Sequence, residues 1–93
     1  MHEHGLVRGL IRKLEEVAHQ HRACRVVAAR VRLGALAHVS AERFQTLFEE
    51  AARGSPAEGC RLEVYEDPNP TAPHAQEVLL EHVELEWEEE PCA

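Results

Sequence analysis

The 93 residues, 44% hydrophobic and 29% charged, have the make-up of one soluble globular domain. A chain this short buries only about 60 to 65% of its unfolded surface, which gives one modest core and excludes a deep cleft for large-substrate catalysis. The four aromatics Phe44, Phe48, Tyr65 and Trp87 offer no stacking platform for single-stranded nucleic acid, and a charge of +3 over residues 1–53 against −10 over residues 54–93 leaves a tail that repels phosphate.

The apolar positions Leu6, Val7, Leu10, Ile11, Leu14, Val17 and Ala18 recur at three and four, which predicts an amphipathic helix. His19, His21 and Arg22 fall where cations complement its C-terminal dipole. From Val26 to Leu33 the period changes to two, with Val27, Ala29, Val31 and Leu33 on one side and Ala28, Arg30 and Arg32 on the other, which predicts a strand with one wet face. Gly34 ends it. Ser40 is placed to N-cap a second helix reaching about Arg53, with Phe44, Leu47, Phe48 and Ala51 inward and Gly54 as the stop.

Cys60, Leu62 and Val64 alternate with Arg61, Glu63 and Tyr65 in a second predicted strand. The segment Asp67 to Pro73 holds three prolines, which lack the backbone donor, and is a loop or linker. From Glu77 to Trp87 a third strand is predicted, with Leu79, Val83, Leu85 and Trp87 inward and Leu80, His82, Glu84 and Glu86 outward, after which Glu88 to Glu90 run into solvent. The fold expected is α/β (α+β) in the order α-β-α-β-loop-β. A right-handed crossover makes the first two strands parallel neighbours, the third returns antiparallel, and both helices pack on one face of a small mixed three-stranded sheet. The open face then allows the Arg30/Arg32 and Glu84/Glu86 rows to pair.

Cys24, Cys60 and Cys92 are odd in number and contain no Cys-x-x-Cys pair, so free buried thiols are expected rather than a disulfide framework or zinc ribbon. Cys60, His74, His82 and Cys92 match no zinc-finger spacing. No apolar run approaches the roughly 20 residues that cross a bilayer, and Met1-His2-Glu3-His4 is unlike a secretory leader. A cytoplasmic protein with no membrane or nucleic-acid partner is expected.

That start carries the most chemistry. Met1 precedes a bulky His2, so the α-amine is expected to stay on Met1. The α-amine, the His2 backbone nitrogen and the His2 imidazole can bind one ion through fused chelate rings, the Glu3 backbone nitrogen can close a square plane, and the Glu3 and His4 side chains can add axial contacts. This nitrogen-rich tetragonal set suits nickel(II) or copper(II) over zinc or magnesium, and deprotonation of the amides makes affinity rise with pH. The same residues also read as an exposed helix lead-in, with Glu3 favouring the dipole.

Met1-His2-Glu3, the helix ending Glu15-Glu16-Val17-Ala18, the stretch Arg30 to Leu36 and the turn Arg53-Gly54-Ser55-Pro56-Ala57-Glu58-Gly59-Cys60-Arg61-Leu62 together resemble the HypA/HybF family of hydrogenase nickel-incorporation proteins. The likeness is ordered and ungapped over about the first 66 residues, and Val83-Glu84-Leu85-Glu86 is similar to the family's last strand. The resemblance implies a nickel-binding domain whose metal ligands are Met1, His2 and Glu3, and which delivers nickel(II) to the large subunit of nickel-iron hydrogenase with a HypB-type GTPase as partner. Residues 1–93 are then one HypA-like domain, in which 67–76 replace the family's zinc domain of two Cys-x-x-Cys pairs, so the structural zinc is expected to be absent. Ser40 stands where some members have an acidic residue, removing a further ligand.

Two other classes stay open. A HypA-like adaptor would bind a maturation GTPase or hydrogenase subunit without carrying metal, and an edge strand bared by loss of the zinc lobe offers a route to a homodimer, opposed by the acid row Glu84/Glu86/Glu88. An enzyme would use Ser55, His38 or Cys60 as nucleophile or base. No elbow motif, phosphate loop or carboxylate pair accompanies them, and no enzyme is expected.

Overall fold

The computed structural model describes residues 3–88. Its elements are α1 (Glu3–Gln20), β1 (Arg25–Leu33), α2 (Ala41–Ala51), β2 (Arg61–Glu66) and β3 (Val78–Glu86). The sheet order is β2-β1-β3, with β1 parallel to β2 and antiparallel to β3. Val7, Leu10, Ile11, Leu14 and Ala18 of α1 and Phe44, Leu47 and Phe48 of α2 share one core with Val26, Ala29, Val31 and Leu33 of β1, so both helices cover the same sheet face. This is the expected α+β architecture.

Local chemistry explains where the helices stop. The Ala23 N–H donates to the Ala18 carbonyl and the Arg22 N–H to the His19 carbonyl, the paired bonds of a Schellman end with Arg22 in the left-handed position at φ 57°. At the other helix the Ser40 hydroxyl accepts from the Arg43 N–H at 3.1 Å, the N-cap the sequence predicts. That helix ends at Ala51, earlier than expected, and it is Ala52 that is buried while Ala51 faces solvent.

The strand parities need correction at two places. Register shifts leave Val27 as an extra residue in β1 and Glu81 as one in β3, and each bulge hands the alternation to the other face. Val26 therefore points inward rather than Val27, and Val78 and Leu80 join Val83 and Leu85 against the core in place of Leu79. Trp87 is not inward either. It is 56% exposed, and its indole N–H donates to the His21 carbonyl at 2.8 Å, tying the end of β3 to the end of α1. In β2 the expected alternation holds, with Cys60, Leu62 and Val64 on the core side.

Arg30 and Arg32 on the open face find other acids than the Glu84 and Glu86 expected for them. Arg30 pairs with Glu63, Arg32 with Asp67 and Glu81, and Arg25 with Glu86, while Glu84 lies opposite Ala28 and contacts His82. The cysteines also divide. Cys60 is free and buried, as expected, but Cys24 is disulfide-bonded, contrary to the expectation of free thiols; Cys92 lies outside the described residues.

The linker 67–76 is tied down rather than loose. The Asp67 N–H donates to the Leu33 carbonyl, the Gly34 N–H to the Glu77 carbonyl and the Leu36 N–H to the Ala75 carbonyl. A Cβ on Gly34 would overlap the Ala75 carbonyl, so only glycine lets the end of β1 pass so close to the linker.

Candidate metal site

Of the three residues that the sequence assigns to nickel, Met1 and His2 lie outside the described residues and Glu3 is the first residue of α1. The first four N–H groups of a helix have no intrahelical acceptor. The Glu3 N–H belongs to that set, so a metal that displaces its proton breaks no helical hydrogen bond.

Three depressions surround the first turn of this helix. His4 lines one of about 190 Å³ with Val7, Leu47 and Glu50, facing α2. Gly5, Leu6, Gly9 and Leu10 face the start of β3 across a groove of about 510 Å³. Leu6 also looks into a third, about 270 Å³, whose other walls are Leu36, Ala37 and His38 from the loop after β1 and Gln76 from the linker. His38 is exposed, holds φ 62° and makes no hydrogen bond or ion pair among the described residues. No spacing rule links position 38 to the first helix; the β1–α2 loop brings it to the same cavity as Leu6 in three dimensions.

Ser40 uses its hydroxyl as a cap and is backed by Glu66, whose carboxylate accepts from the Ala41 N–H at 2.8 Å. Elsewhere the structure disperses the other candidates. Cys60 lies in the core, where burial pushes its thiol pKa up, His74 pairs with Glu77 in the linker and His82 stands on the open sheet face beside Glu84. They form no zinc set. Among the described residues, no three His, Cys, Asp or Glu side chains gather as a metal cage.

The residues of the enzyme reading are likewise separated. His38 precedes α2 and Ser55 follows it, at opposite ends of a helix roughly 16 Å long. The Ser55 hydroxyl donates to the Ala52 carbonyl at 2.7 Å and accepts from the Ala57 N–H at 3.0 Å, which makes it part of the turn. Among the described residues no helix is long and apolar enough to cross a membrane.

Residues 1–77 match the family described as "Hydrogenase/urease nickel incorporation, metallochaperone, hypA". The chain is 44% identical over 68 residues to hydrogenase maturation factor HypA of Azotobacter chroococcum mcd 1, an alignment spanning 73% of this chain and 60% of that protein. It is 35% identical over 92 residues to hydrogenase maturation factor HypA 2 of Bradyrhizobium diazoefficiens, spanning 99% and 79%. The first of these relatives is thus matched over only 60% of its own length. The fold is similar to that in the solution structure of the Ni metallochaperone HypA from Helicobacter pylori, with a TM-score of 0.80 over 95% of this chain and 100% of that one; at 20% identity this is a likeness of fold.

Proposed function

The chain belongs to the HypA family of hydrogenase/urease nickel-incorporation metallochaperones, and on that premise we propose that it captures one nickel(II) ion at its amino end through Met1, His2 and Glu3. The α-amine, the His2 imidazole and the backbone nitrogens of His2 and Glu3 would supply the donors that hold it. A helix N-terminus repels a bare dication. Two deprotonated amides would offset that charge and let the ion be held ahead of α1. The carrying observation is that this helix begins at Glu3, so the amide given up to nickel is one the helix leaves unpaired.

An ion held at a chain terminus ahead of a rigid helix is open to ligand exchange, which a carrier needs. The receiving protein in this reading is the large subunit of nickel-iron hydrogenase, with a HypB-type GTPase as partner, in the cytoplasm. Residues 1–93 act as one domain without the zinc lobe, with the pinned linker 67–76 closing the gap between β2 and β3.

Nickel titration of protein with an unmodified Met1, of a His2→Ala variant and of a form extended at its amino end tests this. Near one-to-one binding is expected for the first and none at this site for the other two, with affinity rising with pH as the amides ionise. Equal binding by all three would remove the amino-end assignment, and partner binding without any nickel capture would favour the adaptor reading.

A further inference from the structure

We infer that Cys24 is bonded to Cys92, and that this disulfide is a redox-sensitive latch holding the chain beyond β3 against the turn between α1 and β1. The inference is independent of the amino-end nickel reading, because this turn lies at the other end of α1, an 18-residue helix about 27 Å long.

The pairing follows by elimination. The chain has three cysteines. Cys24 is disulfide-bonded, and Cys60 is free and packed in the core, so Cys92 is the remaining thiol within one chain. The described residues bring the strand that leads to it to the same corner. The Cys24 N–H donates to the Glu86 carbonyl at 2.8 Å, the Trp87 indole N–H donates to the His21 carbonyl at 2.8 Å, and Arg25 pairs with Glu86. The charge of Glu88 also acts on Arg25, so two residues past the strand the chain is still at this corner. Only residues 89–91 separate Glu88 from Cys92, a reach of at most about 14 Å.

Without the disulfide, what holds the corner is weak. Two hydrogen bonds and one solvent-screened ion pair each have a small net value, and Trp87 is 56% exposed. A covalent bond here closes most of the chain into one ring and restricts the unfolded ensemble. Cys24 is half-buried, unlike Cys60, so a small thiol can reach the bond. In the reducing cytoplasm proposed for this protein, a disulfide is typically transient or sensory rather than structural. A dithiol reductant opens it by exchange: one thiolate attacks a sulfur, the Cys24–Cys92 bond breaks, each cysteine takes up a proton, and the reductant gives up two electrons and ends as its own disulfide. Cys24 stands outside the core cluster. Opening therefore releases the chain beyond β3 and frees two thiols while the core stays packed.

The test uses the full chain equilibrated with oxidised glutathione. Alkylation of the unfolded protein and peptide mass spectrometry should find one modified thiol, Cys60, and the Cys24 peptide joined to the Cys92 peptide; after dithiothreitol all three cysteines should be modified. Trp87 is the only tryptophan, so its fluorescence reads the corner directly. Reduction should shift its emission to the red and lower the melting temperature by roughly 10 °C or more, and oxidised glutathione should reverse both changes. Cys24→Ser and Cys92→Ser should show the reduced values with or without dithiothreitol, with unchanged far-UV circular dichroism. Three free thiols in the oxidised sample, a linkage through Cys60, or a disulfide joining two chains on a non-reducing gel overturns the pairing. An intact bond whose reduction moves neither the Trp87 emission nor the melting temperature overturns the latch.

Discussion

On the helix-covered face of the sheet, Val26, Val31 and Leu33 meet Phe44 and Phe48, and none of the five is more than 1% exposed. On the open face the same strand, β1, presents Arg25, Arg30 and Arg32, each at least 40% exposed in its side chain and each engaged with a carboxylate. No polar or charged side chain among the described residues is buried. The covered face gains free energy by removing apolar area from water, whereas the open face exchanges hydrated charges for solvent-screened pairs of little net value. Fold stability is therefore concentrated on one side, and the other side is free to carry charge that fixes register and discourages edge-to-edge pairing.

The largest expected effect breaks the covered face. Phe44 is fully buried where α2 meets the rest of the core, and Phe44→Ala should cost about 3 to 5 kcal/mol through lost transfer energy and the cavity left behind. Urea denaturation with the midpoint shifted and the slope retained would show it. A loss below about 1 kcal/mol, within the range of an exposed ion pair, would mean that the two faces differ less than their burial indicates.

Most of this covered face is legible in the sequence, since the three-and-four spacing of α1 and the alternation of β2 follow from each element's own geometry. The bulges at Val27 and Glu81 are not, because they arise from how β1 pairs with β3; a strand read alone shows no reason to change parity, so Leu79 and Leu80 exchange sides. The Arg22 cap is hidden for a similar reason, as nothing in an arginine announces a left-handed backbone. At the candidate site, the donor chemistry of Met1, His2 and Glu3 can be written from the residues, but copper(II) fits that set as well and the family resemblance is what selects nickel. His38 is invisible at that level. Its nearness to Leu6 of α1 depends on the β1–α2 loop being bonded to Ala75 and Glu77.

A second, smaller effect sharpens the comparison through pH. Burial pushes the Cys60 thiol pKa up, with Arg61 acting weakly in the opposite direction. A group held protonated more tightly in the folded state contributes stability that is fully present below the unfolded thiol's pKa, about 8.5, and is lost as pH rises through the higher folded value. The stability difference between unaltered protein and Cys60→Ala should therefore stay level from about pH 6 to 8 and narrow above about 8.5. Parallel curves across that range would place Cys60 in an environment as wet as the open face.

The smallest effect belongs to the open face itself. Arg25 sends both Nε and Nη2 to one oxygen of Glu86, at 3.0 and 2.7 Å, directly across the β1–β3 register. The contact is short, yet both side chains remain well exposed, at 61% and 45%. Water and salt compete for the charges, and ordering two long side chains costs entropy, so a double-mutant cycle with Arg25→Gln and Glu86→Gln should give a coupling that is small beside the loss from Phe44→Ala. Because the pair is exposed, most of the coupling should vanish at about 1 M salt, where the screening length is about 3 Å. A coupling that stays large and insensitive to salt would show that the pair is shielded from solvent. The open face would then hold stability of its own, and the division between the two sides of the sheet would fail at this ion pair.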